Sequence, residues 1–195
     1  YSSTDGPEPA EKDPGIPAYW IRPPQILRDG PGLHRFVWNL RYPDPPAVER
    51  EFPISAIRGA TPRGPEGPLV PPGVYVVRLT VDGTTLEQSL EVRMDPRIKT
   101  PAEGLSAQLA LAKRIAAALV RTSAALDDAR ARPSGETDRT KLVKEFEKLD
   151  TDLVALYSVV ESTDAPPTPQ AASAVAELEK ALEEALSRRV LADGP

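Results

Sequence analysis

Cysteine is absent from the 195-residue sequence, and histidine occurs only once. Without cysteine the chain forms no disulfide bond and offers no thiolate ligand to a metal, a composition that fits either the cytosol or an export pathway. His34 alone makes no metal site, and its shared parity with Phe36 and Trp38 predicts a packed or rim residue. We therefore predict no metal site and no cofactor.

Long apolar runs and an excess of basic charge are missing as well. The longest apolar runs, such as residues 115–120, are far shorter than the ~20 residues that a membrane-spanning helix needs. Residues 1–100 carry 12 basic and 13 acidic side chains, and residues 101–195 carry 12 and 16, so the net charge is −5. Because neither half suggests a basic surface, we predict no nucleic-acid partner and no membrane span.

Recognisable catalytic motifs are also lacking. The sequence has no Gly-x-Ser-x-Gly nucleophile turn and no glycine-rich phosphate-binding loop. Carboxylate pairs do occur in charge-rich helical stretches, where such pairs usually form solvated faces. These pairs are Asp127 with Asp128, Asp150 with Asp152, and Glu183 with Glu184. We therefore predict no catalytic residue.

The composition of the chain changes near Thr100. Of the 23 prolines, 18 lie at or before Pro101, and the later ones fall between helical stretches. The content of 40% apolar and 27% charged residues is typical of globular proteins. We predict α+β architecture in two segregated parts. The predicted segments are a linker or surface loop at 1–17, an antiparallel immunoglobulin-like β-sandwich portion at 18–98 and a three-helix bundle at 99–195.

Alternating apolar residues predict strands in the first part. Residues 74–81 and 85–94 alternate around Asp82-Gly83, a pair that supplies the positive φ values of a tight hairpin turn. The same pattern predicts a strand at residues 33–42, with shorter strands at 18–22 and 52–58. These runs give at most five strands, whereas an immunoglobulin-like sandwich uses about seven. Because proteins rarely leave a sheet edge open, we predict an incomplete sandwich whose missing strands come from upstream residues or from another chain.

The second part is patterned for helices. Thr100-Pro101-Ala102-Glu103 has the residues of a capping box, and Thr168-Pro169 repeats this kind of start. Apolar residues spaced alternately by four and three predict one buried stripe on each of three helices. The stripes are Leu105, Leu109, Ala112, Ala116, Leu119, Ser123 and Leu126; Leu142, Phe146, Leu149, Leu153, Leu156 and Val160; and Ala171, Val175, Leu178, Leu182 and Ala185. Short loops between them predict an up-down-up bundle.

Four aromatic residues form the candidate binding site. They are Tyr19, Trp20, Trp38 and Tyr42, and flat rings of this kind stack on sugars or anchor a partner protein. Burial in a core is the competing interpretation of the same residues.

Several segments of the chain resemble one family of proteins. Gly32–Pro43, Pro71–Gly83, Met94–Arg97 and Asp164–Thr168 are similar to the C-terminal region of large secreted bacterial β-propeller proteins, which are labelled glycosyl hydrolase, sialidase-like or sortilin-like. The resemblance implies an immunoglobulin-like module like those of flagellar hook-capping proteins, followed by helices, in a periplasmic or secreted bacterial protein. It also implies an upstream propeller region as partner.

The resemblance does not extend to the residues of sialidase chemistry. No Ser-x-Asp-x-Gly-x-Thr-Trp repeat of the propeller occurs here, so enzyme activity of a glycoside hydrolase-like parent is not expected of this chain alone. The chain begins with Tyr1 and its only methionine is Met94, so we expect a processed or truncated piece. We predict a non-catalytic structural and interaction module that completes or docks onto partner strands. The alternative is a carbohydrate-binding accessory module of a glycoside hydrolase.

Overall fold

The computed structural model describes residues 1–6, 15–53, 57–131 and 136–191, and within them the chain is α+β. A 3₁₀ helix precedes two antiparallel strands, and three long helices follow. The elements are the 3₁₀ helix Ala18–Trp20, β1 Gly73–Val81, β2 Thr84–Val92, α1 Ala102–Ala131, α2 Glu136–Glu161 and α3 Pro169–Leu191. The predicted α+β class and the three helices are confirmed. The immunoglobulin-like sandwich is not confirmed, because the described residues form one two-stranded sheet and a sandwich needs two packed sheets.

The predicted hairpin is present almost as the sequence pattern indicates. Both turn residues, Asp82 and Gly83, have positive φ values of 47° and 77°. Such a turn matches the right-handed twist of the strands that it joins, which explains why this pair follows one alternating run and precedes the other.

The other predicted strands do not form regular strands. Residues 33–42 contribute only the single bridge of Arg41 to Leu69, and Leu40 has a φ of 60° that interrupts an extended backbone. Residues 18–22 begin with the 3₁₀ helix, and only Ile21 forms a bridge, to Thr61. Of the predicted strand at 52–58, residues 54–56 lie outside the described residues and the rest has no strand. Alternating apolar residues indicate that one side of a segment is buried. A segment without a neighbouring strand forms no ladder of backbone hydrogen bonds and therefore no regular strand.

The first two helices of the bundle run antiparallel. Arg130 at the end of α1 pairs with Glu147 in the first half of α2, at 2.9 Å between nitrogen and oxygen. Near the other end, the Gln108 side-chain amide donates hydrogen bonds to the carbonyl oxygens of Val160 and Thr163, at 2.7 and 2.5 Å. Val160 lies in the last turn of α2 and Thr163 follows the helix. Carbonyl groups at the end of a helix have no backbone N–H of the same helix to bond to.

The first and third helices run parallel. Arg114 of α1 pairs with Glu179 of α3, at 2.6 Å between nitrogen and oxygen. Arg121, farther along α1, pairs at the same distance with Glu183, farther along α3. The order of contacts along both helices is therefore the same. Together with the antiparallel first pair, this confirms the up-down-up arrangement.

The buried faces of the helices agree with the predicted stripes but are wider on α1. Four of its seven predicted stripe residues, including Leu119 and Leu126, are buried, and Leu111, Ile115 and Thr122 are buried beside them. A two-stranded coiled coil needs only one narrow seam, whereas α1 packs against both α2 and α3. The core therefore takes in a second row of α1 side chains.

The two threonine-proline starts differ in what the threonine does. Thr168 caps α3, because its hydroxyl oxygen accepts a hydrogen bond of 3.1 Å from the backbone N–H of Ala171. The Thr100 hydroxyl donates to the backbone carbonyl of Asp164 in the loop between α2 and α3. The side chain predicted to belong to a capping box thus ties the start of α1 to that loop.

A proline-rich strap, residues 41–53 and 57–70, lies against the helices without forming a strand of its own. The Tyr157 hydroxyl on α2 donates to the carbonyl oxygen of Glu66 at 2.8 Å. The Lys113 ammonium on α1 lies 3.9 Å from the ring centre of Tyr42, a cation–π contact. The hairpin follows directly after the strap, so these contacts fix where the hairpin leaves the bundle.

Candidate functional site

One face of the β1–β2 hairpin is almost entirely apolar. In the antiparallel register Tyr75 lies opposite Leu90 and Leu79 lies opposite Leu86, and directly opposed side chains share a face. The apolar face, a name kept below, has the apolar residues Tyr75, Val77, Leu79, Val81, Leu86, Leu90 and Val92, and its polar positions are Gln88 opposite Val77 and Thr84 opposite Val81. The opposite face carries a 2.7 Å ion pair of Arg78 with Glu87 and is polar toward the turn.

Most of the apolar face has no covering among the described residues. The exposed fractions of Val77, Leu79, Val81, Leu86 and Leu90 lie between 38% and 65%. Apolar strand faces of folded proteins are normally packed against a second layer, because water contact with so much hydrocarbon is unfavourable. An exposed and contiguous patch of this kind is typical of an interaction surface.

The outer edges of the hairpin are also unpaired by strands. Within the described ranges β1 pairs only with β2, so each strand keeps one edge with no strand beside it. Isolated two-stranded hairpins are marginally stable in water, and open edges invite pairing with another chain. This agrees with the shortage of strands that the sequence predicts.

The base of the hairpin is anchored by aromatic side chains to residues that flank the strap. The Tyr75 hydroxyl donates to the carbonyl oxygen of Pro71 at 2.6 Å, and its ring meets Trp38 edge to face with 5.7 Å between ring centres. Burial raises the pKa of Tyr75, and the nearby Tyr42 adds to the rise while the Lys113 charge opposes it. The hairpin is thus held at its base and open toward the Asp82-Gly83 turn.

The four predicted binding aromatics lie in two groups. Tyr19 and Trp20 pack edge to face, 6.0 Å apart, and Tyr19 is 61% exposed. Trp38 and Tyr42 are half-buried in the base of the hairpin, where the Trp38 indole N–H donates to the carbonyl oxygen of Arg41 at 3.0 Å. No ring contact joins the two groups among the described residues. Whether any of these rings binds a ligand stays a prediction.

One predicted solvated carboxylate is in fact buried. Asp150 is only 1% exposed, and its Oδ2 accepts a hydrogen bond of 2.9 Å from the backbone N–H of Val48. Burial raises the pKa of Asp150, the Val48 hydrogen bond lowers it, and the charge of Glu49 raises it again. The prediction failed because Val48 lies 102 residues earlier and its strap covers this side of α2.

Two further side chains that the sequence analysis did not single out hold the strap. Glu161 Oε2 accepts hydrogen bonds from Arg41 at 3.0 Å and from the backbone N–H of Leu69 at 3.2 Å. Burial raises the pKa of Tyr157, and the Glu161 charge raises it further. A tyrosine one residue past the predicted stripe position Leu156 was the available signal, since it adds a large amphipathic ring to a helix face.

His34, predicted to be a packed or rim residue, is exposed and therefore not packed in a core. Its Nε2 lies 2.6 Å from the carbonyl oxygen of Gly30. In the part of the chain that the structure describes, no group of three or more histidine or carboxylate side chains is arranged to hold a metal ion. In that same part, every helix is too short or too polar for a bilayer crossing.

Comparison of the chain with protein-family models, with curated proteins and with solved structures finds no match.

Proposed function

We propose that the chain is a non-catalytic structural and interaction module, whose hairpin docks onto the β-sheet of a partner polypeptide. The observation that carries this proposal is the exposed apolar face on a hairpin with two unpaired edges. Packing a second sheet on that face removes hydrocarbon from water, at roughly 25 cal/mol per Å². Addition of a strand at an edge satisfies the open backbone groups.

The division of the molecule supports the same proposal. The helices have a continuous core of their own, which includes Ile115, Phe146 and Leu182 at zero exposure, whereas the hairpin contributes no fully buried side chain. A bundle whose core consists of helix residues and that carries an uncovered hairpin is suited to present that hairpin. The resemblance to C-terminal regions of β-propeller proteins favours a propeller-containing, extracytoplasmic bacterial polypeptide as the source of the partner strands.

Site-specific photo-crosslinking tests the proposal. A benzoylphenylalanine at Leu86, on the apolar face, is compared with one at Thr85, the adjacent residue on the opposite face, in the full-length protein of its native host. We expect Leu86 to crosslink to apolar strand residues of one polypeptide segment, identified by mass spectrometry, and Thr85 to give far less of this product. Leu79→Lys should abolish the crosslink from Leu86.

Three outcomes would overturn the proposal. Equal crosslinking from both positions would indicate nonspecific contact. The absence of a product from Leu86 would indicate an uncovered face. A product that joins the apolar faces of two copies would indicate self-association and not a partner sheet.

The second candidate function is carbohydrate binding by the exposed aromatic pair. Tyr19 and Trp20 offer adjacent rings at the surface, but the Arg58 guanidinium already lies 5.8 Å from the Tyr19 ring centre, so a sugar would have to stack on the remaining ring surface. Binding on a glycan array that is lost in Trp20→Ala and kept in Trp38→Ala would favour this function. Lack of binding at millimolar glycan would reject it.

A further inference from the structure

A cleft of about 520 Å³ separates the strap from α2, away from the hairpin. Its volume is in the range of small-molecule sites, about 300 to 1,000 Å³. The strap supplies Phe52, Pro53 and Pro62 to its wall, and α2 supplies Val154 and Ala155. Both the strap and α2 therefore contribute apolar side chains to the cleft.

Acidic side chains also line the cleft. Five carboxylate side chains and one guanidinium line it: Glu49, Glu51, Glu66, Asp150, Glu161 and Arg41. Arg41 forms ion pairs with Glu161 at 3.0 Å and with Glu66 at 3.8 Å, so its positive charge is already balanced by these two carboxylates. In the described ranges Glu49, Glu51 and Asp150 have no ion pair, which leaves an excess of negative charge in the cleft.

Asp150 supplies an independent reason to expect a ligand. Its Oδ2 is bonded to the Val48 N–H, but its buried Oδ1 has no hydrogen-bond partner in the part of the chain that the structure describes. Buried carboxylate oxygens in native proteins nearly always have a donor, and an unpaired one is costly. Asp150 forms part of the cleft wall, so a donor bound in the cleft lies next to this carboxyl group.

The chemistry of the expected ligand follows from the apolar and the acidic side chains that line the cleft. It must donate hydrogen bonds and carry positive charge, to complement Asp150 and Glu49, and it must be attached to an apolar stem that packs against Phe52 and Val154. We propose that the cleft binds an ammonium or guanidinium group on an aliphatic stem, with the cationic head at Asp150. A free alkylamine and a lysine or arginine side chain of a polypeptide share this chemistry.

Titration of the whole chain with n-pentylammonium tests the proposal. The binding is measured by calorimetry and by the NMR shift of the Val48 amide, whose N–H lies on the same carboxylate as the predicted ligand. We expect saturable binding of pentylammonium, and no binding of pentanoate, which has the same stem and the opposite charge. Asp150→Asn should weaken the binding about tenfold or more, because the charged partner is lost.

Asp152→Asn is the matched control, because it removes a carboxylate two residues along α2 that pairs with Lys148 at 2.5 Å and does not line the cleft. It should bind pentylammonium as the unmodified chain does. Exposed Glu49→Gln provides a second variant should Asp150→Asn fail to fold, and it too should weaken the binding.

A peptide arm distinguishes the two sources of the cation. Tighter binding of acetyl-Gly-Lys-Gly-amide than of pentylammonium would assign the site to a polypeptide side chain, and the reverse would assign it to a free amine. Three results would overturn the proposal: no saturable binding of either probe, binding to both Asp150→Asn and Glu49→Gln that is as tight as binding to the unmodified chain, or complete displacement by magnesium chloride at constant ionic strength.

Discussion

The carboxylate of Asp150 is a charged side chain held almost entirely out of water, and its environment is made by a distant segment. Its Val48 contact satisfies one oxygen only. In the sequence nothing distinguishes Asp150 from the solvated carboxylates of α2, because it lies between Leu149 and Thr151 in a charge-rich helix. Burial by a segment about a hundred residues earlier leaves no local signal.

The raised pKa of Asp150 gives a pH dependence with a definite sign. A carboxyl group that binds its proton more tightly when folded adds stability below its ordinary value of 3.8, and this stability is lost as pH rises through the raised folded pKa. Asp150→Asn does not titrate. The unfolding free energy of Asp150→Asn minus that of the unmodified chain should therefore rise with pH between the ordinary pKa and the raised folded pKa of Asp150, and then level off. Urea unfolding between pH 3 and 8 measures this difference. A difference that is constant with pH would contradict the assignment.

Thr168 makes a testable contribution as the N-cap of α3. Thr168→Ala removes the acceptor for the Ala171 N–H and should lower the unfolding free energy by about 1 kcal/mol, whereas Thr168→Ser keeps a hydroxyl and should cost much less. Urea unfolding followed by helical circular dichroism measures both. Equal losses in the two variants would mean that the cap hydrogen bond is not what stabilises this helix start.

At the scale of elements, α1 packs against both other helices through a wide buried face. Leu119 has zero exposure and the neighbouring Val120 is 53% exposed, so the pair is a matched test of this wide buried face. Leu119→Ala should lower the unfolding free energy by about 2–5 kcal/mol, since the cavity adds to the lost burial. Val120→Ala should change it by less than about 0.5 kcal/mol. Similar losses in chemical denaturation would contradict the packing described for α1.

The hairpin turn depends on a glycine at positive φ. Gly83→Val places a β-branched residue at a φ of 77° and should destabilise the hairpin by roughly 1–2 kcal/mol. Amide hydrogen exchange should become faster in β1 and β2 and stay unchanged in the helices. Gly30→Val is the control, because Gly30 has no positive φ and open space at its Cβ. Faster exchange throughout the chain would show that hairpin and bundle unfold together.

At the scale of the whole molecule, periodicity predicted the helices well and the β portion only in part. The heptad stripes, the Asp82-Gly83 hairpin and the helix order depend on neighbours within one element or between successive elements, and all three are confirmed. Residues 33–42 alternate as a strand does, yet they become part of a coil that packs through Trp38 on Tyr75. Alternation indicates which side chains are to be buried, and pairing decides whether a strand forms.

The candidate surfaces were predictable to different degrees. The shortage of strands indicated an uncovered β element, and the apolar face follows from the register of two alternating runs. The cleft could not be predicted, because it requires the strap to lie across α2, and its contacts join residues such as Glu66 and Tyr157 that are 91 positions apart.

Glu161 is one of the side chains that fix the strap to the bundle, and its contribution is testable for the molecule as a whole. Glu161→Gln keeps the size of the side chain but removes the charge that Arg41 and the Leu69 N–H share. Opening of the strap should become easier by about 1–3 kcal/mol, so the Leu69 amide should exchange with deuterium at least several-fold faster. Glu177→Gln, an exposed position on α3, is the control. Unchanged exchange at Leu69 in Glu161→Gln would mean that other contacts hold the strap.

The Gln108 amide and the Thr100 hydroxyl have a mechanical consequence. The chain leaves the hairpin and enters α1 at its first turn, where Thr100 is bonded to the Asp164 carbonyl and Gln108 to the carbonyls that close α2. Tension applied to the hairpin is therefore divided between two antiparallel helices at their shared end. We therefore expect a pull on the β-hairpin to load both helices at this end, and not α1 alone.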